Sequence, residues 1–333
     1  MTNFGIIGFG HWGPNYLKTI NKVDGAIVSR VTDLKFQDSF TNDGTTYSSN
    51  LDEMLNDPSI DAIVVATPAA THYEIAAKAL QAGKHLLVEK PICTRLQDAH
   101  DLETQARDSD LILKVGHIFL CNLAVHKMRE LIETGGVGKP LYGTARRTHL
   151  GLIRDDVNVC WDLAAHDISI FNHLFESEPI TVSATGQKHQ GSANEDMASI
   201  NLTYPDDITA HILVSWEDAN KERTITVMGT NARIVFDDLN QFEKVKVINK
   251  GLSRNLDREK LGQFHVNLRD GDIFSPNIPP HEPLQVMCDN FVDAIQRKAV
   301  CENDRGSDIV KVLQGIQKSI QDGGTPVQLH TVV

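Results

Sequence analysis

Residues 4–13 read Phe4-Gly5-Ile6-Ile7-Gly8-Phe9-Gly10-His11-Trp12-Gly13, an apolar run that leads directly into a glycine-rich turn. Gly8 permits a tight turn, Gly10 lets the backbone approach a diphosphate, and Gly13 lets the next helix pack closely on the strand. The unpaired N–H groups at the start of that helix favour an anion. The stretch therefore predicts a dinucleotide-binding βαβ unit, with an ordinary glycine-rich surface turn as the alternative.

Asp33 strengthens this prediction because it stands twenty residues beyond Gly13, at the end of the apolar run Ala26–Thr32. A carboxylate at this point accepts hydrogen bonds from the adenosine ribose and repels a 2′-phosphate. It therefore favours NAD, although the nearby Lys35 keeps NADP possible. The candidate cofactor-binding residues of this unit are Gly8, Phe9, Gly10, His11, Trp12, Gly13 and Asp33.

The composition limits the class of protein. A chain of 333 residues with 41% hydrophobic content suits two folded domains. The net charge of −12 argues against nucleic acid or an anionic membrane as partner, because both need a basic surface. Five scattered cysteines without a CxxC pair indicate reduced, mostly buried thiols rather than disulfides or structural zinc: Cys93, Cys121, Cys160, Cys288 and Cys301. With no signal peptide and no bilayer-spanning run evident, we expect a cytoplasmic protein.

Residues 1–120 alternate apolar strands with amphipathic helices, which predicts a Rossmann-type, doubly wound parallel sheet covered on both faces. The strands include Ala62–Ala66 and His85–Val88, with a helix, His72–Gln81, between them. Ligands bind at the carboxyl ends of such strands. The loops Thr67-Pro68 and Glu89-Lys90-Pro91 therefore belong to the predicted site.

Residues 121–333 read as a second, α+β domain. Runs between Thr181 and Ile248 alternate at period two, which predicts a large, mostly antiparallel, open sheet with helices on one face. A second copy of the sheet is the economical cover for its other face, so we expect a homo-oligomer, a dimer or tetramer. Leu252–Pro280 shows no period and is expected to be a long loop or arm, and Asp308–Ile320 a closing helix.

Lys90 is the first candidate for chemistry. A lysine at the cofactor crevice can hydrogen-bond a substrate hydroxyl and favour its alkoxide-like form. The bond to Pro91 is a candidate for the cis form, which would fix the direction of the lysine. A snorkelling surface lysine before a helix-initiating proline explains the local sequence equally well.

The second candidate is the pair Asp162 and His166. If Trp161–Phe175 is helical, the two lie one turn apart, opposite a buried apolar stripe. A carboxylate in that position orients an imidazole and raises its basicity, as a general base requires. A solvated helix face with a weak ion pair is the alternative, and only the distance to Lys90 can decide.

Several strings together resemble the Gfo/Idh/MocA family, named for glucose–fructose oxidoreductase, inositol dehydrogenase and rhizopine catabolism. They are Gly8–Gly13, Ala66-Thr67-Pro68 with His72, Lys84–Pro91 with its Glu-Lys-Pro motif, and Asp162 with His166. The resemblance covers nearly the whole chain. It implies an NAD(P)-binding first domain, cofactor contacts from Thr67, Pro68, His72, Glu89 and Lys90, an oligomerising sheet, and Lys90, Asp162 and His166 as catalytic residues.

Finer strings are similar to the branch that oxidises nucleotide-linked sugars, including UDP-N-acetylglucosamine 3-dehydrogenases. They are Gly10–Asn15, Val115–His117 and Arg154–Ala164, although the branch usually has Leu and Pro at Cys160 and Ala165. The candidate substrate-binding residues are Lys90, His117, Arg147, Arg154, Asn158, Trp161, Asp162 and His166. Arg147, Arg154, Lys139 and Lys221 are candidates for a substrate diphosphate.

The predicted function is hydride transfer between a sugar secondary alcohol, of a UDP-hexose or of a free sugar or inositol, and nicotinamide. Two alternatives remain open: elimination or hydrolysis through a transient oxidation, and a silent NAD-responsive binding protein. No metal is expected, because the histidines lack ligand-pair spacing, although His211 and His281 remain possible isolated ligands. His173 lies two turns from His166 and is expected to be structural.

Overall fold

The computed structural model describes residues 1–36, 39–40, 44–151, 153–189, 191, 193–254, 266–297 and 306–331. A seven-stranded sheet contains β1 (Thr2–Ile7), β2 (Ala26–Thr32), β3 (Ser39–Phe40), β4 (Thr46–Ser48), β5 (Ala62–Val65), β6 (His85–Val88) and β7 (Leu113–Val115). Its connecting helices are α1 (Gly13–Ile20), α2 (Leu51–Leu55), α3 (His72–Gln81) and α4 (Leu96–Asp108). The order is β3-β4-β2-β1-β5-β6-β7, and all pairs except β3–β4 are parallel. The predicted Rossmann sheet is confirmed.

The central strands of this sheet are apolar because both of their faces are covered. Phe4 of β1 lies in one core with Tyr16 of α1, whereas Ile7 lies in the other core with Leu80 of α3. Successive side chains of β1 thus point to opposite faces of the sheet. Because the strands are parallel, their carboxyl ends lie at one edge of the sheet. The loops that follow β1, β2, β5 and β6 therefore meet there.

A nine-stranded sheet forms the second half. Its strands are β8 (Pro140–Leu150), β9 (Thr181–Gln187), β10 (Met197–Thr203), β11 (Thr209–Ser215), β12 (Glu217–Gly229), β13 (Arg233–Asp237), β14 (Val245–Ile248), β17 (Ile273–Phe274) and β18 (Val327–Gln328). The remaining elements are α5 (Leu123–Glu133), a π-helical turn (Cys160–Ala164), α6 (Ala165–Phe175), β15 (Gly251–Arg254), β16 (Val266–Arg269), α7 (Pro283–Arg297) and α8 (Gly306–Gln321). The strand order is β17-β14-β13-β12-β8-β11-β10-β9-β18, and only β8–β11 is parallel.

The predicted alternation is clear in β11. Ala210, Ile212 and Val214 are buried, whereas His211 is exposed and Leu213 half-buried. Helices α6 and α8 pack on the buried side, where α6 contacts β8 and α8 contacts β9. The expected open, mostly antiparallel sheet with helices on one face is therefore confirmed.

Two parts of the C-terminal half differ from expectation. Within Leu252–Pro280, β15 pairs with β16 and β17 extends the large sheet, so the described part of this stretch is not a plain loop. Helix α7 packs in the core of the first sheet, where Phe291 and Phe4 have ring centroids 6.0 Å apart. A segment assigned by sequence order to the second domain thus completes the first, and the division 1–120 and 121–333 otherwise stays a prediction.

Four cysteines are free and buried, as expected: Cys93, Cys121, Cys160 and Cys288. Cys301 lies outside the described residues. Among the helices of the described ranges, none has the length and apolar character needed to cross a bilayer.

Candidate active site

The glycine turn after β1 fits a dinucleotide. Gly8 has φ +92°, and a Cβ there would lie 2.6 Å from the carbonyl oxygen of Ala66. A Cβ on Gly13 would lie 2.4 Å from the Gly8 oxygen, whereas one on Gly10 would meet no atom within 4 Å. Gly8 and Gly13 thus serve close packing, and Gly10 leaves space above the turn. Because Trp12 provides no side-chain cap to α1, the N-terminal N–H groups of the helix suit a diphosphate.

Asp33 lies beside this turn. Its carboxylate accepts hydrogen bonds from the backbone N–H groups of Phe9 at 2.7 Å and Lys35 at 3.0 Å. These contacts fix the carboxylate between the glycine turn and the segment after β2. Each oxygen retains acceptor capacity for a ribose hydroxyl.

His72 joins the two loops that follow β5 and β6. Its Nδ1 lies 2.7 Å from the oxygen of Pro91 and its Nε2 lies 2.8 Å from the oxygen of Thr67. Burial lowers the pKa of His72, although the two carbonyl oxygens oppose this shift. The ring therefore spans from Thr67-Pro68 to the Glu-Lys-Pro turn behind the site.

The Glu-Lys-Pro turn is fixed from within the first domain. Buried Glu89 accepts hydrogen bonds from the Tyr16 hydroxyl at 2.6 Å and from the Lys90 N–H at 3.1 Å. Burial raises the pKa of Glu89, and these two donors oppose the shift. The peptide bond between Lys90 and Pro91 is cis.

Lys90 reaches the second domain. Its Nζ donates to the backbone oxygen of Asp162 at 2.7 Å and to Oδ1 at 3.2 Å. Arg154 also donates to Oδ1, at 3.0 Å, and the indole of Trp216 donates to Oδ2 at 3.1 Å. Burial alone would raise the pKa of Asp162, but the charges of Lys90 and Arg154 and the Trp216 hydrogen bond lower it. Asp162 is thus an ionised carboxylate that holds the Lys90 ammonium.

Asp162 and His166 are not hydrogen-bonded to each other in the described part of the chain. The residues Cys160–Ala164 form a π-helical turn, and α6 begins only at Ala165. A π turn takes more residues than an α turn, so side chains four apart are no longer aligned. Asp162 therefore holds Lys90 and not the His166 ring, contrary to the expectation from the sequence.

His166 is half-buried at the start of α6, and its ring centroid lies 5.2 Å from that of Phe119. Its Nδ1 is buried without a hydrogen-bond partner among the described residues. Burial, followed by the charges of Lys90 and Arg147, holds the pKa of His166 well below its ordinary value. The imidazole is therefore neutral at neutral pH and can accept a proton.

Comparison with known proteins agrees with this geometry. A family model described as an oxidoreductase family with an NAD-binding Rossmann fold matches residues 2–117. The model of the GFO/IDH/MocA C-terminal domain matches residues 125–235. The chain belongs to the Gfo/Idh/MocA family.

Relatives within this family support an oxidoreductase. An uncharacterized oxidoreductase of Streptococcus pneumoniae is 26% identical over an alignment of 300 residues, which covers 82% of this chain and 80% of that protein. A UDP-N-acetylglucosamine 3-dehydrogenase of Acidithiobacillus ferrooxidans is 32% identical over 157 residues, 47% of this chain and 49% of that protein.

Two solved structures share the fold. That of the A. ferrooxidans enzyme covers 96% of this chain and 98% of its own, with a TM-score of 0.77 at 21% identity. A scyllo-inositol dehydrogenase from Lactobacillus casei, solved with NAD(H) and scyllo-inositol, covers 99% of both chains, with a TM-score of 0.77 at 16% identity.

Two candidate substrate residues of this Gfo/Idh/MocA protein have structural partners instead. Arg147, 4% exposed, forms an ion pair with buried Asp167, with Nη2 2.7 Å from Oδ1, and stacks over the Phe119 ring. The Asn158 amide donates to Glu195 and Gln317, and its oxygen accepts the N–H groups of Cys160 and Trp161. These bonds use the Asn158 donors and acceptor sites fully. These partners argue against direct substrate contacts, and the assignment of Arg147 and Asn158 to the substrate stays a prediction.

The other candidates lie in different parts of the molecule. Lys139 precedes β8, roughly 35 Å along the strand from the end that meets Trp216, which argues against a contact with a substrate diphosphate. Lys221 is exposed at the near end. Trp161 lines a cavity of about 370 Å³ beside Asp156, between the two domains.

Two further histidines, His117 and His173, differ in their surroundings. His117 is buried and contributes to the lowered pKa of His166. His173 lines a cavity of about 800 Å³, as His117 also does, and contacts His126. Its structural role stays a prediction.

Two residues of the site were missed by sequence reasoning. Trp216 directly follows β11, and its indole N–H has no sequence signature. His149 lies on the same face of β8 as Arg147, and its pKa is lowered by burial while Asp162 opposes the shift. A Cβ on Gly151 would lie 2.1 Å from the His149 ring. Only the period of β8 could have pointed to this histidine.

A group of metal-ligand type lies nearby. The Nδ1 of His189 is 2.8 Å from Asp196 Oδ1 and 3.1 Å from Glu217 Oε2. A hydrogen on Nδ1 that is shared between the two carboxylates accounts for these distances.

The two histidines considered as isolated metal ligands have protein partners. His211 contacts Asn201, and His281 contacts the N–H of Leu123. The expectation that the protein binds no metal stays a prediction.

Proposed function

We propose that this protein oxidises a secondary alcohol of a sugar, or reduces the corresponding ketone, with NAD as the hydride carrier. The observation that carries the proposal is the contact between Lys90 of the first domain and Asp162 of the second. It brings an ammonium group to the carboxyl edge of the Rossmann sheet, from where its charge acts on the neutral imidazole of His166. Such a pair suits a carbinol that loses a proton and a hydride.

His166, Lys90 and Asp162 have separate roles in the proposed reaction. His166 accepts the O–H proton, because its lowered pKa keeps it neutral. Lys90 donates a hydrogen bond to the same oxygen and stabilises its developing negative charge. Asp162 holds the Lys90 ammonium in place. A nicotinamide bound at this edge would supply the acceptor for the hydride of the carbinol carbon, so that the loss of proton and hydride would leave a carbonyl.

NAD is the proposed cofactor in preference to NADP. The Asp33 carboxylate is fixed beside the glycine turn by the N–H groups of Phe9 and Lys35. A 2′-phosphate placed at the ribose would meet this negative charge. The Lys35 side chain is the local group that could favour NADP.

A nucleotide-linked hexose is the proposed substrate. The support is the similarity of the Arg154–Ala164 string and the 32% identity to a UDP-N-acetylglucosamine 3-dehydrogenase over 157 residues. With Arg147 and Lys139 set aside, Arg154 and Lys221 are the remaining candidates for the diphosphate. Arg154 now pairs with Asp156 and Asp162 and would exchange a partner on binding.

A second copy of the chain is the proposed cover for the open face of the nine-stranded sheet. Tyr142 on this face is 40% exposed, and Leu213 and Met228 are half-buried. Helix α6 packs on the opposite face, where a Cβ on Gly143 would lie 2.4 Å from the ring of Phe171. Sedimentation of the wild type and of Tyr142→Arg tests the proposal, which expects a dimer or tetramer that the charge dissociates.

The decisive experiment incubates the protein with NAD or NADP and a panel of UDP-hexoses, free hexoses and inositols, and follows reduced cofactor. We expect reduction of NAD with a nucleotide sugar, and none with Lys90→Ala. A response to free sugars alone overturns the substrate class. A cleaved or dehydrated product without reduced cofactor, detected by mass spectrometry, replaces net oxidation by a transient one.

A further inference from the structure

Trp216 is the donor to the Asp162 carboxylate that the reaction scheme leaves unused. Its indole Nε1 lies 3.1 Å from Oδ2, and the residue is 1% exposed. We propose that Trp216 is a positioning residue, whose N–H holds the Asp162 carboxylate in the orientation that binds the Lys90 ammonium. The proposal rests on the proposed function.

The division of donors over the carboxylate supports this role. Lys90 and Arg154 both donate to Oδ1, whereas Trp216 is the donor to Oδ2. Contacts to one oxygen leave the carboxylate plane free to turn, and a donor on the other oxygen fixes it. Without Trp216, Oδ2 would lose its hydrogen bond in a largely buried site.

The three donors differ in rigidity. Arg154 has a side chain 31% exposed and also pairs with Asp156, so it can change partners when a substrate binds. Lys90 is needed at the substrate oxygen. Trp216 is held on both sides of its peptide, since its N–H donates to the Asp196 oxygen and its oxygen accepts the Gly151 N–H. The indole therefore keeps a fixed position and orients the Asp162 carboxylate.

Trp216 also packs in the core, so the test must separate the hydrogen bond from the packing. Trp216→Phe keeps an aromatic ring and removes the N–H. Tyr204→Phe is the matched control, because Tyr204 is equally buried and its hydroxyl donates to Asn172 Oδ1 at 2.8 Å, away from Asp162. Both variants lose one buried donor, and only the first affects the carboxylate.

The kinetic measurement uses NAD and the sugar found to react. We expect Trp216→Phe to lower kcat on the order of tenfold, as for a lost hydrogen bond to a charged group, with the KM for NAD unchanged. Tyr204→Phe should keep the wild-type kcat. A wild-type kcat in Trp216→Phe, or an equal loss of kcat in both variants, overturns the proposal.

A spectroscopic measurement tests the contact without a substrate, and it does not require that the Trp216→Phe variant folds. The chain has three tryptophans, so fluorine NMR of the protein labelled with 5-fluorotryptophan gives three resonances. We expect Asp162→Asn to shift one of the three resonances strongly. That resonance belongs to Trp216 if it is absent in Trp216→Phe. If Trp216→Phe does not fold, the resonance is assigned by its presence in both Trp12→Phe and Trp161→Phe. If the Trp216 resonance does not respond to Asp162→Asn, the proposal is wrong. If it responds while no sugar reacts, the proposed function fails and the contact itself stands.

Discussion

Lys90 and Asp162 meet across the two domains, although 72 residues separate them in the chain. The ammonium contacts both the backbone oxygen, at 2.7 Å, and the carboxylate, at 3.2 Å. The pair is mostly buried, with side chains 8% and 17% exposed. An ammonium held in this way has a fixed direction at the edge where the cofactor-binding loops end.

Replacement of Lys90 should lower turnover strongly and leave the fold intact. Lys90→Ala removes the donor to the substrate oxygen, a loss on the order of 10²–10³ in kcat by analogy with an oxyanion donor. Exposed Lys139, before β8, provides the control Lys139→Ala, which should keep the wild-type rate. Steady-state kinetics with the reacting sugar measures both, and a Lys90→Ala rate near wild type removes Lys90 from the mechanism.

The pH profile should report a base with a low pKa. Burial and the charges of Lys90 and Arg147 hold the pKa of His166 well below 6.5. Since the base must be neutral, we expect kcat/KM to stay constant as the pH falls through 6.5 and to decline only below it. His166→Ala should remove this limb together with most of the activity. A limb centred at pH 6.5 or above in the wild type would contradict the assignment.

The Arg147–Asp167 pair should be essential for stability. Removing one partner of a buried pair leaves an unpaired charge, so Asp167→Ala should cost about 3–5 kcal/mol of unfolding free energy. The exposed pair Arg107–Asp108, with side chains 71% and 65% exposed, is the control. Asp108→Ala should change little. Urea unfolding followed by circular dichroism compares the two, and equal effects would refute the distinction.

Two glycines of the first turn should respond differently to alanine. A Cβ on Gly10 meets no atom within 4 Å, whereas Gly8 has φ +92° and backbone within 2.6 Å. Gly10→Ala should therefore keep the melting temperature and weaken NAD binding by about tenfold or more, because the methyl group fills the space for the diphosphate. Gly8→Ala should cost about 1–3 kcal/mol of stability.

Calorimetric titration with NAD and thermal unfolding separate these effects. If Gly10→Ala binds NAD as tightly as the wild type, the diphosphate does not lie over this turn. If Gly8→Ala unfolds like the wild type, the close approach to Ala66 is not a constraint.

The local pattern predicted the first half closely. Helix α3 and strand β6 have the bounds expected from the sequence, His72–Gln81 and His85–Val88. Both are fixed by apolar periodicity and by glycine at the turn, which are properties of neighbouring residues. Helix α7 was not expected, because its apolar face packs against β1 and α1, some 280 residues earlier in the chain.

Side-chain partners could not be inferred in the same way. Arg147 and Asn158 are polar residues of types that suit phosphates and sugars, yet both hydrogen-bond within the protein. Nothing in the sequence distinguishes a guanidinium that faces Asp167 from one that faces a ligand. The difference depends on which side of β8 is covered by α6.

The sequence by itself determined the dinucleotide-binding turn, the alternation of strands and helices, and the residue types that could carry a hydride-transfer reaction. These follow from spacing along a few residues and from backbone sterics. The tertiary structure decided that Lys90 binds Asp162, that Trp216 and Arg154 share this carboxylate, and that His166 stands apart from it. The physical reason is the π turn at Cys160–Ala164 and the burial around it, which set orientations and charges that no local pattern encodes.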